Sequence, residues 1–166
     1  MNLQLAQELV QRYLQFADAD PVTPAQLGHL EAQLNVVLPE DLKLIASVYS
    51  GGRQIGGLSI EKILADEPYG DVASCTHALR RSIQLPDRYL VLAEPPESLV
   101  VFETKAQATI ETPVIWLASY DVDRLRTGEP LRDADLFESY SEFFAFLLDR
   151  ELEERDDHSE EPGYIR

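Results

Sequence analysis

The thirty residues from Thr23 to Gly52, TPAQLGHLEAQLNVVLPEDLKLIASVYSGG, constrain the fold more tightly than any other part of the chain. They predict two helices joined by a short elbow. Thr23 stands before Pro24 and three residues before Gln26, the layout of a capping box with proline at the first helical position. Leu27, Leu30 and Leu34 then recur on one helical face. At Leu38-Pro39 the chain restarts, because Pro39 fixes φ for a new first turn and Glu40 and Asp41 follow where the helix dipole favours negative charge. Leu42, Ile45, Ala46 and Tyr49 make the second apolar stripe, and Gly51 suits the left-handed conformation that closes a helix.

Before this pair, residues 3–17 predict a helix with Ala6, Leu9, Val10, Tyr13 and Ala17 on one face. After it, Gly51, Gly52, Gly56 and Gly57 bracket a loop, 58–60 form a short strand, 61–71 a loop with one helical turn, and 72–85 a helix ended by Pro86. The period then changes. Residues 89–93 and 99–103 are β-prone and separated by Glu94-Pro95-Pro96-Glu97-Ser98, a hairpin connection. Residues 114–119 form a third strand, whose Val-Ile-Trp-Leu run suits a central strand covered on both faces. Residues 121–136 read as a polar connection, and Ser139 with Glu142 forms a second capping box ahead of Phe143, Phe144, Leu147 and Leu148. The expected architecture is a single α+β domain over residues 1–152, with N-terminal helices packed on a mostly antiparallel sheet and a C-terminal helix. That helix is expected to fray into an acidic, mobile tail at 153–166.

At 166 residues and 45% hydrophobic content, the chain can bury a core unaided by metals or disulfides. Its single cysteine, Cys75, excludes an internal disulfide and suits a reducing compartment. Gln4, Gln7, Glu8, Gln11 and Arg12 break up the first residues, so no signal peptide is read there, and no run approaches the roughly 20 apolar residues of a membrane span. A cytoplasmic protein is the expectation. Thirty acids against fourteen bases give a net charge of −16. Only eight of those acids and three of the bases lie between Asp149 and Arg166, so most of the excess belongs to the folded part. Such a surface repels nucleic-acid phosphates and anionic lipid, and it steers a basic partner inward.

Motifs for chemistry are sparse. Cys75 and His77 lie two residues apart, which on a helix sends them to different faces. His29, His77 and His158 share no metal-ligand spacing, so neither a metal nor a cofactor is expected. The glycines from Gly51 to Gly57 lack the lysine of a phosphate loop and follow a helix where such a loop would precede one. Arg80-Arg81 is the lone adjacent basic pair, far short of a nucleic-acid surface. Asp121 and Asp123 have the look of a carboxylate pair in some sugar transferases, yet a solvated turn accounts for them better.

The order of pieces in the helical pair resembles the SUKH superfamily of bacterial toxin-immunity proteins and fungal cell-wall regulators. The positions that match are Leu30-Glu31, Leu34, Leu38-Pro39-Glu40-Asp41, Leu42 and Ser50-Gly51-Gly52. Two positions depart from the pattern, with Asn35 where the family has glycine in the elbow and Ser50 where it has asparagine. The resemblance implies a non-enzymatic protein that binds and occludes a toxin. Acidity adds that the partner is basic, a nuclease with a cationic substrate channel being one such target. The expected contact residues are Glu94 and Glu97 in the hairpin turn and Asp121 and Asp123 after the third strand. A regulatory scaffold of the same fold with an endogenous partner is the alternative, and a small hydrolase or transferase using the carboxylates near Asp121 is a third reading.

Overall fold

A computed structural model of the chain describes residues 1–63 and 70–160, with the side chains of 158–160 left out. Helices α1 (Gln4–Leu14), α2 (Pro24–Leu34) and α3 (Glu40–Ala46) come first, then a small hairpin of β1 (Gln54–Ile55) and β2 (Leu58–Ser59). Helix α4 (Val72–Ser82) leads into β3 (Tyr89–Ala93), β4 (Ser98–Glu103) and β5 (Val114–Ala118). A 3₁₀ turn (Ser119–Asp121), α5 (Val122–Thr127), β6 (Ala134–Phe137) and the long helix α6 (Tyr140–Glu160) complete the chain. Strands β3 to β6 form one antiparallel sheet in sequence order. The fold is therefore the expected α+β domain, with N-terminal helices, an antiparallel sheet and a C-terminal helix. Among the described residues no helix is long and apolar enough to cross a membrane.

The alternation of the strands divides the interior in two. Leu90, Leu92, Val100, Phe102 and Val114 face a large core shared with α1, α2, α3 and α6, where the rings of Tyr13, Tyr49 and Phe144 pack together. Tyr89, Val91, Leu99, Val101, Ile115 and Leu117 face a second, smaller core closed by Cys75, Leu79, Val122 and Leu125 of α4 and α5. Burial on both faces explains the near-continuous apolarity of β5.

The helical pair forms for the reasons its sequence suggests. The Thr23 hydroxyl accepts from the Gln26 N–H at 3.2 Å, and the Gln26 side chain accepts from the Thr23 N–H at 2.9 Å. Asn35 ends α2 in the left-handed region (φ 52°), doing the elbow's work without glycine. Two motif acids prove to be clamps. Glu31 accepts the Leu38 N–H at 2.9 Å and pairs with Lys43 at 3.4 Å, holding the elbow shut. Asp41, 2% exposed, accepts the Ser141 N–H and hydroxyl at 2.9 and 2.7 Å through one oxygen and the Leu42 N–H at 2.9 Å through the other. It thereby joins the start of α3 to the start of α6.

Some expectations are revised. The segment 121–136, read as a polar connection, contains the last residue of a 3₁₀ turn, α5 and the beginning of a fourth strand of the main sheet. Periodicity hid that strand because β6 lies at the sheet margin and most of its residues are exposed. The glycine-rich stretch is a hairpin: Gly56 and Gly57 take φ of +57° and +78°, as a two-residue turn between β1 and β2 requires. It docks on α6 so closely that a Cβ on Gly56 would sit 2.6 Å from the Leu147 carbonyl oxygen. Helix α6 continues to Glu160 rather than fraying near Leu152. Glu151 accepts the Gly56 N–H at 3.2 Å, and the Arg155 guanidinium lies 4.6 Å from the Phe16 ring centre. The helical turn expected within 61–71 and the end of the tail fall largely on residues outside those described.

Replacing Asp41 with Ala strips acceptors from Ser141 and Leu42 inside the protein, and unfolding in urea should show a loss of about 2–4 kcal/mol. Asp41→Asn, which keeps one acceptor oxygen, should lose less.

Candidate protein-binding surface

The antiparallel order brings four strand ends, joined by two connections, to one end of the sheet. There β3 runs out into Glu94, β4 begins after Glu97, β5 ends in the 3₁₀ turn, and β6 begins after Asp133. Backbone bonds lock these connections together: the Ser119 N–H donates to the Glu97 carbonyl at 2.9 Å and the Ala118 N–H to the Asp133 carbonyl at 3.1 Å. The Glu94–Glu97 turn and the turn after β5, which nothing in the sequence required to be neighbours, share this end.

The four expected contact residues meet different fates. Glu94 and Glu97 are exposed, Glu97 in the left-handed region at φ 59°. Asp123 is exposed at the start of α5 and pairs with Arg126 at 3.6 Å. Asp121 is a correction, because its side chain is 0% exposed and fully engaged within the chain. One oxygen accepts the N–H groups of Arg132 and Asp133, both at 2.7 Å, and the other takes the Arg132 Nε–H at 3.0 Å with the Arg124 Nε 3.7 Å away. It is a staple between the 3₁₀ turn and the approach to β6, with no free edge for a partner. Burial alone would raise its pKa. The hydrogen bonds from the Asp133 N–H and from Arg132 outweigh that and hold the carboxyl below the ordinary range.

Around this staple lie groups that the sequence reading passed over. Tyr120 is 59% exposed, its hydroxyl donating to Asp133 at 3.0 Å and its ring lying 5.1 Å from the Arg132 guanidinium. Asp133 and Asp135 are exposed, and with Glu97 and Trp116 they line a shallow groove whose floor includes Leu117 and Ala118. The signal for Tyr120 was present, since an aromatic in a turn between a strand and an acidic pair has no helix or strand face to occupy. Glu61 lies within electrostatic reach of Glu94 and of Asp71. The acids Asp66 and Glu67, near them in sequence, lie outside the described residues.

Cys75 sits beside this second acidic group. Burial, then the charges of Glu61 and Glu94 and its hydrogen bond to Glu61, push the thiol up to about 12. Such a thiol stays protonated at neutral pH and is a poor nucleophile. Among the described residues, no group of three or more His, Cys, Asp or Glu is placed to hold a metal ion.

No protein-family model matches this chain, and no curated protein matches it in sequence.

Two measurements check these assignments. Because the Asp121 pKa is lower folded than unfolded, its contribution to stability is complete above the unfolded carboxyl value of about 4 and fades as pH falls through the folded value. Asp121→Asn should therefore lower stability at pH 7 and flatten the acid limb of the stability–pH curve below about pH 4. Iodoacetamide should alkylate Cys75 far more slowly at pH 7.5 than it alkylates glutathione, with the rate climbing only at strongly alkaline pH.

Proposed function

We propose that the chain is a non-enzymatic protein-binding protein of SUKH type, an immunity protein that neutralises a basic toxin by covering its active site. The observation that carries this reading is the rim itself. Glu94, Glu97, Asp133 and Asp135 are exposed along one end of a sheet whose inner strands are covered on both faces, beside an exposed tyrosine. Carboxylates held on a firm support attract a cationic surface from a distance and bond to it by charge-assisted hydrogen bonds on contact. Tyrosine is a residue type that concentrates binding energy at interfaces. The net charge of −16 gives the same direction of attraction. The sequence resemblance supplies the immunity role, and its motif acids are accounted for structurally, Glu31 closing the elbow of the helical pair and Asp41 tying α3 to α6. A toxin whose substrate is a nucleic acid fits best, because its channel is cationic and the rim can occupy it.

The product of an adjacent toxin gene, co-expressed with this chain, should co-purify with it and lose activity in the complex. The double variants Glu94→Lys/Glu97→Lys and Asp133→Lys/Asp135→Lys should each slow association about tenfold at low salt and weaken its salt dependence. Their far-ultraviolet circular dichroism should match the parent. Unchanged association rates in both would remove the rim from the interface.

A further inference from the structure

The two margins of the sheet are treated differently. At β3 the outer backbone groups are used: the Val91 N–H donates to the Thr76 hydroxyl at 3.0 Å and the Leu92 carbonyl accepts from the Glu61 N–H at 2.8 Å. At β6 they are not. The bond from the Ala118 N–H to the Asp133 carbonyl fixes which residues of β6 face β5. An antiparallel ladder alternates, so Asp135 and Phe137, opposite Trp116 and Val114, bond to β5, while Ala134 and Leu136 turn their N–H and C=O outward. No hydrogen bond among the described residues reaches those outward groups. Leu136 is also 68% exposed, the most exposed large apolar side chain among the described residues.

We infer that the β6 margin is a docking edge that takes an extended basic segment of a partner protein as a fifth, antiparallel strand. The inference rests on the protein-binding reading and adds the mode of binding. Charge selects the occupant. From Asp133 to Glu138 the chain carries three acids and no base, so two copies of β6 repel one another, as acidic side chains on an open edge commonly ensure. A cationic strand meets no such barrier. The pleat then sets the pattern of that strand. Residues that hydrogen-bond with Ala134 and Leu136 lie on the same face as the exposed Leu136 and are apolar. Those between them lie on the face of Asp135 and are Lys or Arg. On that face Phe146, 40% exposed and 5.4 Å from the Phe137 ring, extends the apolar surface beside β6, with the Arg150 guanidinium 5.5 Å from its ring centre. The segment thus alternates basic and apolar residues, with main-chain bonds for affinity and the alternation for selectivity.

The test uses the full chain, isotopically labelled, and a synthetic octapeptide of alternating Lys and Val. At low salt the peptide should bind, shift the amide signals of Ala134 and Leu136 and slow their hydrogen exchange. N-methylation of the valines removes the N–H groups that face β6 and should weaken binding at least about tenfold. N-methylation of the lysines, at identical charge and apolarity, should weaken it far less. In the protein, Leu136→Pro deletes one outward N–H at a position where an edge strand tolerates proline, and should reproduce the loss. Leu136→Lys, which leaves the backbone intact and repels the lysines, guards against a folding defect in the proline variant. Equal effects of the two methylations, or no binding at millimolar peptide, would overturn the edge. A dimer of the chain alone that Leu136→Pro dissolves would also overturn it, by assigning the edge to a second copy. Failure here is separable from failure of the protein-binding reading, because toxin capture and the Glu94→Lys/Glu97→Lys reversal report on the latter at residues outside β6.

Discussion

The carboxylate of Asp41 ties together parts of the chain that lie a hundred residues apart. Helix α3 is seven residues long and could not persist alone, and α6 must enter the domain at the angle that sends Phe143, Phe144, Leu147 and Leu148 inward. One buried acid meets both needs. Its two oxygens serve the first turn of each helix, where unpaired N–H groups and the helix dipole both favour negative charge. With α6 so placed, the hairpin of β1 and β2 has a surface to lie on, and one face of the sheet is closed.

The same device recurs at the other end of the protein. Asp121 gathers two backbone N–H groups and a guanidinium, and with them the path from β5 to β6. Glu31 does so on a smaller scale at the elbow. Asp41, Asp121 and Glu31 are therefore engaged in holding the backbone, as are Asp71 at the Ser74 N–H and Glu151 at the Gly56 N–H. A count of charge cannot separate them from those available to a partner. Burial does separate them, and it sends Asp121 to one group and Glu94 and Glu97 to the other.

This division explains what could be read from the residues and what could not. Helices α1 to α4 and strands β3 to β5 were legible because each buries a periodic or continuous apolar set beneath other elements. Strand β6 was not, since Ala134, Asp135 and Leu136 are exposed and exist as a strand only through pairing with β5. The α-helical reach of 153–160 was hidden likewise, for an acid-rich sequence on a helix surface looks the same as one in a tail. At the candidate surface, the hairpin acids were visible as turn residues. The joint rim depended on register, through the pairing of Ser98 with Ala118 and of Leu117 with Ala134, and no local pattern encodes that. The role of Asp121 was obscured for the same reason, because its partners come from eleven and twelve residues downstream.

The staple at Asp121 has a consequence for the thermodynamics of recognition. The connections that form the rim are anchored to a buried acid and to one another before any partner arrives. Their conformational entropy was lost when the domain folded, so little remains to be lost on association. In the proposed binding role, a surface preorganised in this way would dock as a near-rigid body. If the proposed binding role holds, affinity would be governed by the match of charge and shape, with little drawn off to order a loop, and variants of the complex would differ chiefly in how slowly they come apart.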